Sequence, residues 1–360
     1  MTYVWQSIVA ILLFSVLAAG SARAEKPRLD AQEALLEHLS PTPEWQRAAQ
    51  LKADQMIVLL NQSEAGMALG VLDAIDDPLI HDQAAALVLQ ALPEQAASPA
   101  RRAYLDGVQQ RPQKVWQRHE ETRADWFVPV FHIHAQARAL PAQWQANEWR
   151  KRWLGRYASV SAQWVDQLVQ RQGEATEEYQ REMRVAAEVL ASLPPQLFER
   201  VYERLIDVRS LPASIALALS GRAPAESLLR QVIDHGQSSE ILGAIDVLRH
   251  WADPAAERLL VELEAQSEWS SAATLALVPK WVDKPAPIVS RLADPKHRAS
   301  TASAIARLPE TEMLAVIERL ANADKQIDQG LMLALELQGG EVAMRRAEAM
   351  LRALDQRKQP

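Results

Sequence analysis

The sequence predicts an all-α protein, an α-solenoid of antiparallel helix pairs. Three observations carry that reading. The first is a thirty-residue period between Ile241 and Gln338. Ile245, Leu275, Ile305 and Leu335 form one apolar column. Leu248, Val278, Leu308 and then Gln338 follow three residues on, and Ala244, Thr274, Ala304 and Ala334 stand just ahead. A sustained period of this length belongs to helical hairpins that bury their apolar faces on their neighbours. The second is composition. Glycine supplies only 12 of 360 residues, and alanine and leucine abound, a balance that favours helix. The third is the lack of any alternating β-branched pattern longer than a few residues. Val128 to Ile133 looks briefly strand-like, but Pro129 and the run Ala135 to Leu140 favour a helix start.

Taken in order, the chain opens with an apolar run from Ile8 to Ala19, the length of a signal-peptide h-region. Ser21-Ala22-Arg23-Ala24 supplies a small-x-small cleavage site, so 1–24 reads as a signal peptide with the mature chain starting near Glu25. An uncleaved anchor is the alternative. The run is shorter than the roughly 20 residues a spanning helix needs, so no membrane span is expected after cleavage. The chain has no cysteine. Disulfides, a lipidated cysteine, thiol nucleophiles and cysteine metal sites are thereby excluded, and the expected location is the periplasm.

Residues 25–212 read as an N-terminal helical region, and 213–360 as the repeat region. Asp77-Pro78 and Asp253-Pro254 place a capping carboxylate before proline at a first helical position. A motif of two apolar residues at i and i+3 followed by proline recurs five times, ending at Pro93, Pro141, Pro194, Pro279 and Pro309. The pair shares a helical face, and proline ends the helix there. Ala255 to Leu263, Ile288 to Leu292 and Met313 to Leu320 are the expected second helices of successive pairs, and Gly339-Gly340 separates the last pair from Glu341 to Leu354.

This alternation resembles the short HEAT-like repeat families, well from Ser214 to Leu354 and loosely from Ala31 to Leu211, and so implies a HEAT/ARM-like superhelix. It lacks the family's usual Asp and Arg at fixed positions, so the likeness is one of architecture. Such families mostly serve as protein-binding scaffolds, and the resemblance implies no catalytic residue.

The middle of the chain differs in charge. Arg101 to Arg156 holds eleven Lys/Arg against five acids, net +6, in a chain of net charge −7. Such asymmetry marks an interaction surface. Trp116, Trp126, Trp144, Trp149, Trp153 and Trp164 cluster here as well. A helix expected from Ala142 to Gln172 aligns Trp149, Trp153, Tyr157, Val160, Trp164 and Leu168 on one face. Two readings compete. The stripe is core, with Arg150, Lys151 and Arg152 on the solvated face. Alternatively Trp144, Trp149, Trp153 and Tyr157 line a groove rimmed by Arg150, Lys151, Arg152 and Arg156, which receives an anionic ligand.

Catalytic motifs are missing: no nucleophile elbow, no His-Glu-x-x-His, no phosphate-binding glycine loop and no dinucleotide fingerprint. His132 and His134 are the only close histidines. On a helix they diverge by roughly 200°, at about 100° per residue, so neither a metal site nor a cofactor is expected. The sequence therefore reads as an exported, non-catalytic scaffold with a protein partner. The alternatives are a module for peptidoglycan or another anionic polysaccharide and, more remotely, a cell-wall-directed enzyme. Nucleic acid does not suit an exported, acidic chain.

Overall fold

The computed structural model describes residues 42–118, 127–159, 162–170, 176–321 and 328–357. The signal-peptide segment 1–24 lies outside the described residues, as do Trp126, Val160 and Glu120-Glu121. Among the described residues the fold is helical except for one small two-stranded sheet. The chain forms two compact units, 1–147 and 148–360.

The first unit contains α1 (Pro43–Asn61), α2 (Ala65–Asp73), α3 (Pro78–Ala91) and α4 (Pro99–Gln109). Proline sits in the first turn of α1, α3 and α4, where its missing N–H costs no hydrogen bond. Asp77 caps α3 as its sequence predicts, accepting from the N–H groups of Leu79 (2.8 Å) and Ile80 (3.1 Å). Helix α1 packs on α2 and α3, and α2 on α4. Met56, Leu60, Leu89, Leu92, Tyr104, Leu140 and Trp144 belong to the core of this unit.

Two expectations fail here. Strand β1 (Trp116–Arg118) pairs antiparallel with β2 (Phe127–Pro129), Trp116 opposite Pro129. The stretch read as a helix start is therefore a strand first. Pro129 is tolerated because it closes an edge strand. His132, at φ 47°, then turns the chain into α5 (Ile133–Ser159). Second, Pro141 lies inside α5 rather than ending a helix at Leu140. Proline removes one helical hydrogen bond. Here Leu140 and Trp144 are buried on either side of it, and that packing holds the helix across the gap.

The second unit contains the rest of α5, then α6 (Ala162–Gln170), α7 (Glu177–Ala191), α8 (Pro195–Leu205), α9 (Ala213–Ser220) and α10 (Glu226–His235). It continues with α11 (Ser238–His250), α12 (Pro254–Glu264), α13 (Ser270–Leu277) and α14 (Pro285–Ala293). Helices α15 (Arg298–Ala306), α16 (Glu310–Ala321), α17 (Asp328–Gln338) and α18 (Glu341–Arg357) complete it. Of the helix expected over Ala142 to Gln172, the described residues are helical to Ser159 and again over Ala162–Gln170; residues 160–161 and 171–172 lie outside the described residues. The Ser159 hydroxyl donates to the Arg156 carbonyl at 2.7 Å.

Alternate helices of this unit pack in series: α7 on α9, α9 on α11, α11 on α13, α13 on α15 and α15 on α17. The packing of α7 on α9 crosses residue 212.

The register itself is visible in burial. Ala244, Thr274, Ala304 and Ala334 are buried, as are Leu248, Val278, Leu308, Ile245, Ile305 and Leu335. Leu275 and Gln338 are only half-buried. The small residues let neighbouring helices approach. At Gly243 of α11 the approach is closest, since a Cβ there would lie 2.8 Å from Leu217 Cδ2 on α9. Asp253 caps α12 through the Ala255 N–H at 2.7 Å. Pro279 sits in the tight turn Val278–Trp281 after α13, and Gly339 takes φ +69° between α17 and α18, a left-handed conformation suited to glycine.

Candidate functional site

The sequence-predicted site residues fall in two places. Trp144 lies in the first unit, buried, its indole N–H donating to the Leu92 carbonyl at 2.9 Å. Trp149, Trp153 and Tyr157 lie in the second unit, spaced four apart so that one face of α5 carries all three. They are 5%, 1% and 0% exposed respectively.

The rings pack on one another. Trp153 and Tyr157 have centroids 5.5 Å apart, and Trp164 of α6 stands edge-on to both, at 6.2 and 5.4 Å. These are favourable aromatic geometries. Helix α7 supplies the polar partners. Glu182 accepts the Trp153 indole N–H at 3.2 Å, and the Tyr157 hydroxyl donates to the Ala186 carbonyl at 3.1 Å. Burial pushes the Tyr157 hydroxyl well above its ordinary pKa, so it stays protonated and keeps donating.

The basic rim is engaged within the fold. Arg152 and Arg156 approach Glu182 at 3.6 and 3.9 Å, and the Arg156 guanidinium lies 4.6 Å over the Trp153 ring. Arg150 pairs with Glu188 at 3.0 Å and Lys151 with Glu148 at 3.5 Å. This arrangement matches the reading of the stripe as packed side chains more closely than the groove reading. The rings are buried, and the cations pair with acids of their own unit.

The histidines diverge. His132 is exposed at the entry to α5, and His134 Nε2 lies 2.8 Å from the Arg111 carbonyl oxygen. Among the described residues no group of three or more His, Cys, Asp or Glu is placed to hold a metal ion. The buried carboxylates are occupied with structure. Asp82 meets His81 at 2.8 Å and accepts the backbone N–H groups of Lys114 and Val115 at 2.7 and 2.8 Å, which fixes the approach to β1. Glu264 is gripped by Arg291.

A cavity elsewhere in the second unit went unforeseen. It is an open cleft of about 610 Å³. Tyr179, Met183 and Arg184 of α7, Ser214 at the start of α9, and His235 and Glu240 are among the residues that line it. Its lining runs from Val169 to Glu240 in sequence. No motif joins those residues, and only helix packing brings them together, so no signal in the sequence could have found it.

Comparison with protein-family models, curated proteins and solved structures gives no match to this chain.

Proposed function

We propose that the chain is an exported, non-catalytic helical-repeat scaffold, a HEAT-like α-solenoid in its second unit, that binds another protein. The observation that supports this best is the serial packing of α7, α9, α11, α13, α15 and α17. Stacked helical pairs present a long continuous face, and such faces serve for binding more often than for chemistry. The buried carboxylates Asp82, Glu182 and Glu264 each bond to groups of their own fold, which favours a scaffold over an enzyme. Export rests on the apolar run Ile8 to Ala19 and the cleavage pattern ending at Ala24. No helix among the described residues is long and apolar enough to cross a membrane.

The test is photo-crosslinking of the full chain, expressed with its own leader. A photoreactive residue replaces exposed Leu242 on α11 or Leu337 on α17. The expected result is one adduct of defined mass, shared by the two positions and found in the exported fraction. Retention of the chain inside the cell, or no adduct at either position, counts against the reading.

A further inference from the structure

We propose that the cleft between α7, α9 and the α10–α11 connection binds a carboxylate carried by an extended peptide, an inference that rests on the scaffold reading above. The cleft's volume of about 610 Å³ lies within the range of roughly 300–1,000 Å³ typical of ligand sites. Tyr179 and Met183 contribute apolar lining, and Arg184 and His235 line it as exposed residues. Among the described residues Arg184 forms no ion pair. The acid one turn further along α7, Glu188, is engaged by Arg150.

Ser214 points to the ligand independently. It is 7% exposed, it lines the cleft, and its hydroxyl makes no hydrogen bond among the described residues. The hydroxyl is not a buried orphan; it opens on the cleft and can donate to an anion there. Ser214 also lies in the first turn of α9, whose N-cap is Pro212, with no side chain to cap the helix. The first-turn N–H groups there favour an anion.

Glu240 also lines the cleft, but its Oε2 accepts the Gln237 N–H at 2.8 Å, which ties its charge to the start of α11. One guanidinium, one hydroxyl and a helix start match a planar, singly charged carboxylate. A dianionic phosphate would meet about twice the repulsion from Glu240 that a carboxylate meets. The apolar lining then takes the side chain beside that carboxylate.

The test uses the full chain and three fluorescein-labelled peptides, each presenting Leu-Phe. One ends in a free carboxylate, the second in an amide, and the third ends in an amide but carries an internal aspartate. Binding is read by fluorescence anisotropy. The free-acid peptide, the aspartate peptide or both should bind, and the plain amide should not. Which of them binds tells a chain terminus from an acidic side chain. Arg184→Gln should weaken binding about tenfold, the worth of one charge-assisted hydrogen bond. Ser214→Ala should weaken it by a smaller factor, and circular dichroism should show both variants folded. Equal binding of all three peptides, no binding, or affinity unchanged in both variants overturns the proposal. Crosslinks from Leu242 and Leu337 that persist in that case leave the scaffold reading standing, so the two failures are separable.

Discussion

Glu182 accepts the indole N–H of Trp153 at 3.2 Å, and both side chains are buried, the acid 3% exposed. A carboxylate out of water needs compensating partners, and Arg152 and Arg156 supply the charge. The acid thus ties α5 to α7. Glu182→Ala should destabilise the protein by about 2–4 kcal/mol, because it strands a buried donor and removes one side of a buried pair. Arg152→Ala, at a half-exposed cation, should cost only about 0–1 kcal/mol. Urea unfolding of the two variants checks the contrast, and equal losses would refute it.

Trp153 itself is a packing residue. Trp153→Ala should cost about 3–5 kcal/mol, the usual loss for a large buried aromatic. Charge reversal at Arg150 and Lys151 should leave the melting temperature nearly unchanged, since both pairs are solvent-exposed and such pairs contribute little. A stable Trp153→Ala variant would favour the groove alternative.

These residues show how far the sequence could be read. The stripe at spacings of four was legible because helix periodicity is local, and so were the caps at Asp77 and Asp253. Whether the stripe met solvent or another helix was not, because that depends on α7, which lies beyond Trp164 in the chain. Pro141 misled for the same reason. Its local preference is to end a helix, and burial of Leu140 and Trp144 overrides it. The β1–β2 pair was hidden because three-residue strands carry too little alternation to register.

The repeat columns make a graded prediction. Ile305 is buried and Leu275 only half-buried, although both occupy the same column. Ile305→Ala should cost about 2–4 kcal/mol and Leu275→Ala markedly less, because loss tracks the buried volume removed. Equal losses would mean that burial does not follow the helix packing described.

Asp73 and Arg111 give a pH-dependent link between α2 and the end of α4. Arg111 donates through two nitrogens to the two Asp73 oxygens, both at 2.6 Å. That hydrogen bonding holds the Asp73 carboxyl below its ordinary range. A carboxyl lowered in the fold stabilises above its unfolded value, about 3.9 for aspartate, and that stability is lost as pH falls through the lower folded value. Glu257 follows the same sign, lowered by hydrogen bonds from Lys284 and then from the Trp281 indole. Carboxyl titration by NMR should place both midpoints below ordinary values, and Arg111→Gln should raise that of Asp73 alone.

Thr274 breaks the run of alanines in its column, and Glu264 supplies the reason. The Thr274 hydroxyl lies 2.9 Å from Glu264 Oε1 and 2.8 Å from the Ser270 carbonyl, so the substitution carries a polar contact from α13 to α12. Glu264 is buried and is held chiefly by Arg291 of α14, whose Nε reaches its two oxygens at 2.8 and 3.0 Å. The Arg291 guanidinium also lies 4.2 Å over the Trp281 ring. Three successive helices therefore converge on one carboxylate. Arg291→Lys keeps the charge but loses the planar fork and the stacking, so it should cost about 1–3 kcal/mol. Thr274→Ala restores the column's alanine yet should still cost about 1 kcal/mol, one net hydrogen bond. Because both act on Glu264, their effects should not add. A double-mutant cycle in urea should give a coupling above about 0.5 kcal/mol. Additivity within error would mean that Thr274 holds its place by packing alone and that the carboxylate does not join the helices.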